Sequence, residues 1–121
     1  MPISPAPFCH IVIPSPDLTK AKAFYEAVFG WEVSAGVPGP TYWFFKSGNV
    51  GGAFSSDLKP VGNEVVPLFL KVGDMDAALR RIREHGGQVT RGKGSLGEAD
   101  PGFDARFQDP NGYELGLYSA T

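Results

Sequence analysis

The feature that most constrains this chain is that it repeats itself. Asp17 and Asp74 lie 57 residues apart, and at that offset Leu18 falls on Met75, Ala21 on Ala78, Tyr25 on Ile82 and Gly30 on Gly87. Two copies are too few for a solenoid, in which neighbours cover each repeat on both sides. The duplication therefore predicts a pseudo-symmetric pair of modules whose sheets face each other.

Each copy reads as βαβββ. In the first, residues 8–13 (FCHIVI) are β-rich, and Pro14-Ser15-Pro16 ends the strand. Asp17 or Thr19 can cap a helix over about 18–29. Ala21, Phe24, Tyr25 and Val28 fall on one of its faces, and Gly30 supplies the left-handed stop. Three short β-type runs follow at 31–34, 42–46 and 50–55. In the second copy a strand over 66–72 leads to Asp74 as N-cap. Met75, Ala78, Leu79 and Ile82 then form an apolar helix face that stops at Gly86-Gly87. His85 reads as a helix C-terminal residue favoured by the dipole. Strands are expected near 88–91, 103–108 and 113–118, with Asp109-Pro110-Asn111-Gly112 as a type I turn. The expected fold is α+β: two βαβββ modules, about 8–56 and 66–119, in one domain over 1–121. Residues near 60–63 join the modules, whose mixed sheet forms a cup with helices on its convex face.

Strand alternation sorts the faces. Cys9, Ile11 and Ile13 share one side of the first strand, which makes Cys9 an inert core thiol, and Phe8, His10 and Val12 take the other. Leu68, Leu70 and Val72 match the aliphatic side, while Pro67 and Phe69 share the side of His10. Tyr113, Leu115 and Leu117 make an apolar row that leaves Glu114, Gly116 and Tyr118 opposite. His10 and Glu114 thus both leave the helix-packed face, and a concave surface with a few polar groups among aromatics suits a small ligand. His10 is open to three readings: metal ligand, general base or polar lining. Glu114, between apolar neighbours in a central strand, needs a partner such as a metal, a ligand, an Arg or His10. Trp43, Phe45, Phe54, Phe69, Phe107 and Tyr118 are the candidate aromatic lining, although strand aromatics are ordinarily core. The run Tyr42-Trp43-Phe44-Phe45 does not say which alternate pair faces the cup. Arg91, Lys93 and Arg106 either hold an anionic substrate or are solvated charges near strand ends. Residues 92–102 carry no predicted structure and form a candidate lip over the cup.

Composition narrows the function classes. Eleven basic and thirteen acidic residues, interspersed, leave a net charge of -2 and no basic patch for nucleic acid or an anionic membrane. A single cysteine cannot form an intrachain disulfide, and the start of the chain lacks the charged and apolar regions of a signal peptide. No apolar run is long enough to span a membrane, so the expected location is the cytoplasm.

Three segments, HIVIPSPDLTKAKAFYEAVFGWEV from His10, VGDMDAALRRIREHGGQV from Val72 and FDARFQDPNGYELGLY from Phe103, together resemble the vicinal oxygen chelate superfamily. That group includes glyoxalase I, bleomycin-resistance proteins, fosfomycin-resistance enzymes and extradiol dioxygenases. The resemblance covers nearly the whole chain and implies a cup that is often completed by a homodimer. In metal-dependent members the ligands stand on the first and last strands of each module. Carried over, it implies His10 and Glu114 as metal and catalytic residues. Pro67 and Gly51 or Gly52 occupy the other two ligand positions, where no side chain can coordinate. The cofactor it implies is a divalent metal (Ni, Zn, Mn or Fe) or none, and the partner is a small organic molecule. Two functions are in play: a metal-assisted lyase, isomerase or dioxygenase-type enzyme on an oxygen-bearing substrate, and a metal-free protein that sequesters a planar ligand. A structural module without a site is a third.

Overall fold

The structure is a computed structural model and describes residues 4–60, 68–98 and 100–120. The first module runs β1 (His10–Pro14), α1 (Leu18–Phe29), β2 (Glu32–Gly39), β3 (Tyr42–Lys46) and β4 (Gly51–Ser55). The second runs β5 (Phe69–Lys71), α2 (Met75–Glu84), β6 (Gln88–Ser95), β7 (Phe103–Gln108) and β8 (Glu114–Ser119). Each module makes its own four-stranded mixed sheet, in the orders β1-β4-β3-β2 and β5-β8-β7-β6, with a parallel pair at one edge. This is the duplicated βαβββ architecture that the sequence repeat predicts.

The helices begin and end where local chemistry dictates. The Asp17 carboxylate accepts the Lys20 amide at 3.0 Å, and Gly30, at φ 68°, closes α1 in the left-handed region. Asp74 accepts the Ala77 amide at 3.1 Å, and His85 is the C-cap of α2. Replacing Asp74 by Ala should remove about 1 kcal/mol of stability, read as a lower urea midpoint with an unchanged m-value.

One core spans both modules. Phe24, Tyr25 and Val28 of α1 pack with Ile13, Phe45 and Phe54 of the first sheet and with Phe107, Leu115 and Leu117 of the second. Trp31 stacks between Tyr25, at 4.5 Å between ring centres, and Phe45, at 4.6 Å. A polar latch crosses the modules as well. The Tyr25 hydroxyl donates to Asp109 Oδ2 at 2.8 Å, while Asn111 accepts the Asp17 amide at 2.7 Å and donates to the Asp17 carbonyl at 3.0 Å. The 109–112 turn is closed by the Gly112 amide donating to the Asp109 carbonyl at 2.8 Å, the bond a type I turn makes. It thereby holds the N-terminus of α1. No helix among the described residues is long and apolar enough to cross a membrane.

Three expectations are corrected. Residues 92–95 belong to β6 rather than to an unstructured lip, and β2 likewise runs on to Gly39. Register shifts in both strands let the ladder continue past residues that break the alternation. Cys9 is exposed rather than buried, because pairing with β4 starts at His10 and Cys9 lies beyond the sheet. The expected strand at 66–72 is seen over Phe69–Lys71, and its first two residues, with the ligand position at Pro67, lie outside the described residues. So does most of the expected junction near 60–63.

Candidate functional site

Register fixes which side chains face the helices. In the first sheet Ile11 and Phe45 lie opposite Gly52, and Ile13 and Trp43 lie opposite Phe54, so these residues form the packed face. His10, Val12, Tyr42, Phe44 and Lys46 take the open face. In the second sheet Ala105 and Leu70 lie opposite Leu117, and Phe107 lies opposite Leu115, all on the packed side. Phe69, Asp104, Arg106, Glu114 and Tyr118 take the open side.

Of the six aromatic residues expected to line the cup, only Phe69 and Tyr118 lie on an open sheet face. Phe45, Phe54 and Phe107 are buried in the core, and Trp43 is half-buried against it. The alternate pair, Tyr42 and Phe44, is the one that faces outward. The signal was present in the sequence: Lys46 has the parity of Tyr42 and Phe44, and a lysine does not point under a helix.

His10 sits on the open face of the first sheet, where its Nε2 is 2.9 Å from the Tyr42 hydroxyl and its ring meets Phe44 edge-on at 6.3 Å. Cys9, Glu32, Phe44, Lys46 and the Gly51 backbone complete a shallow depression of about 380 Å³ around it. Gly51, directly opposite His10, is one of the two positions, with Gly52, where the resemblance would place a carboxylate. A Cβ there would lie 2.9 Å from the Phe45 carbonyl oxygen, so the close approach of β3 excludes a side chain.

Glu114 opens β8 and is half-buried. Thr90 donates to its Oε1 at 2.7 Å and answers the need for a partner. Nearby, Arg91 bonds Asp104 at 3.1 Å, and the Tyr118 hydroxyl donates to Asp100 at 3.2 Å. Lys93 lies 4.4 Å over the Phe103 ring and 3.5 Å from Asp76, which accounts for it without a ligand. Among the described residues, no hydrogen bond or ion pair joins His10 to Glu114. Nor does any group of three or more His, Cys, Asp and Glu side chains gather there in a way that would hold a metal. The donor set among the described residues therefore does not fit a metal centre. A second groove, about 670 Å³, runs between the modules along Ile11, Trp31, the 46–50 turn and residues 69–74.

A paired-βαβββ fold with open sheet faces defines a glyoxalase-type class. Residues 8–117 match the family described as the Glyoxalase/Bleomycin resistance protein/Dioxygenase superfamily, and the chain belongs to it. A glyoxalase/bleomycin resistance protein/dioxygenase family enzyme from Burkholderia phytofirmans PsJN superposes at a TM-score of 0.78. It is 15% identical, over 96% of this chain and 100% of that one. A glyoxalase-related enzyme from Fulvimarina pelagi gives 0.73 at 19% identity, over 93% and 87%. The fosfomycin resistance protein FosX from Mesorhizobium loti gives 0.70 at 18% identity, over 98% and 94%. At these identities the likeness is one of fold. A search of curated proteins finds no match.

Proposed function

We propose that this protein binds a small oxygen-bearing organic molecule against its open sheet faces, with His10 and Glu114 as polar anchors, and does so without a resident metal. The observation that carries the reading is the pairing on each open face of an exposed aromatic with a polar anchor. Phe44, 41% exposed, lies beside His10, and Phe69, 47% exposed, lies on the sheet face of Glu114. Apolar rings left open around engaged polar groups are what a flat ligand covers. Two copies would bring such faces together, so the working form is a homodimer. The single cysteine, which can form no intrachain disulfide, favours a reducing compartment such as the cytoplasm.

An enzyme reading, in which Glu114 and His10 move a proton on the bound molecule, uses the same two anchors. Superfamily membership and the likeness to a fosfomycin resistance protein keep it in view. Calorimetry of metal-stripped protein with Ni, Zn, Mn and Fe(II) separates the cases. The expected result is no stoichiometric binding. Binding at one equivalent that disappears in both His10→Ala and Glu114→Ala would replace the metal-free reading with a metal-assisted enzyme. Under the metal-free reading, each of those variants should weaken a planar ligand by about tenfold, the loss of one hydrogen bond to a charged or polar anchor.

A further inference from the structure

The open face of the second sheet carries a cation, Arg106, with which no carboxylate among the described residues forms an ion pair. Arg106 lies in a row across the sheet, opposite Gly116 on β8, which is in turn opposite Phe69 on β5. Gly116 leaves a gap in that row, and the Phe69 ring fills it. A Cβ on Gly116 would overlap Phe69 Cε2. The Arg106 guanidinium carbon is 5.6 Å from the centre of the same ring, within cation–π range.

The acids on this face are held by other residues. Asp104, two residues before Arg106, takes Arg91 at 3.1 Å, and Glu114, two residues before Gly116, takes Thr90 at 2.7 Å. Arg106 Nε is buried and has no hydrogen-bond partner among the described residues. A buried N–H without an acceptor is costly, and the charge on the guanidinium raises that cost. We infer that Arg106 and Phe69 form an anion site, whose ligand carries a carboxylate on a flat unsaturated body. The carboxylate accepts the guanidinium fork and the flat body lies against the Phe69 ring. This assignment rests on the small-molecule reading above and adds the charge of the ligand to it. The chain is acidic overall, so the preference is local and not one of long-range steering.

The test is a titration of the full chain, labelled with 15N and 13C, with benzoate, phenylphosphonate and neutral benzamide, following the Arg106 Nε–H and the Phe69 ring C–H resonances. Benzoate is expected to shift both and to bind at least tenfold more tightly than benzamide. Arg106→Gln should abolish that difference and Arg106→Lys, which keeps the charge but loses the fork, should retain part of it. Tighter binding of phenylphosphonate than of benzoate would support the anion site and assign it to tetrahedral anions. Equal binding of benzoate and benzamide, or discrimination that survives in a folded Arg106→Gln, would overturn the anion site. Both outcomes leave the small-molecule reading standing, because Phe69 still responds. No response of Phe69 or of any open-face residue to all three compounds would remove both.

Discussion

Replacing Asp109 by Asn should erase a loss of stability that the wild-type protein shows as pH rises from about 4 to about 6. Asp109 is 3% exposed, and burial pushes its carboxyl up from 3.8 to about 6. Four donors work against that shift: the Tyr25 hydroxyl at 2.8 Å, the Asn111 backbone amide at 2.9 Å, the Tyr113 backbone amide at 3.0 Å and, least of the four, the Gly112 backbone amide. Desolvation is the larger effect, so the folded state holds the proton more tightly than the unfolded chain. The protonated group's contribution is complete below the unfolded value of 3.8 and is lost as pH rises through about 6. The difference amounts to about 3 kcal/mol at neutral pH.

The Asp109→Asn change keeps an oxygen for the backbone amides and removes the charge. Urea unfolding at pH 4, 5, 6 and 7 should therefore show wild type losing up to about 3 kcal/mol relative to D109N across that interval. Wild type gaining on D109N as pH rises would mean that the four donors outweigh burial. Tyr25→Phe removes one of those donors and should move the midpoint of the pH effect upward, at a cost of about 1–3 kcal/mol for the lost buried bond.

How much of this was legible in the sequence varies by element. The helices were, down to Asp74 and Gly30 and to a choice of Asp17 or Thr19 as the first cap, because caps and a 3.6-residue period are local signals. Sheet membership was legible through the duplication. Two kinds of feature were not. The extensions of β2 and β6 depend on register shifts against a partner strand, and nothing in residues 35–39 or 92–95 alternates in a way that announces pairing. Burial of Asp109 depends on Tyr25, 84 residues away, arriving over the 109–112 turn. The turn was readable and its latch was not. At the site, parity placed His10, Glu114, Phe69 and Tyr118 on the open faces. It left Tyr42–Phe45 undecided because four consecutive aromatics carry no period, and Arg106 became distinctive only once its acidic neighbours were seen to be engaged elsewhere.

Gly52→Ala should cost about 3 kcal/mol or more, read as a large fall in the melting temperature. A Cβ at Gly52 would overlap the Ile11 carbonyl oxygen and lie 2.8 Å from Phe45 Cζ. The first of these is backbone of β1, the strand that pairs with β4 and carries His10, so relief requires moving the strand itself. Gly116→Ala provides the contrast. Its nearest obstruction is the ring of Phe69, a side chain that is 47% exposed rather than a backbone atom. That variant should fold with a loss of about 1 kcal/mol, while the displaced ring no longer lies beside Arg106. Circular dichroism melts of the two variants, with 15N spectra of Gly116→Ala, check both parts. A Gly52→Ala protein as stable as wild type would show that β1 is not fixed against β4, and His10 would then lack the rigid strand on which its place opposite Gly51 depends.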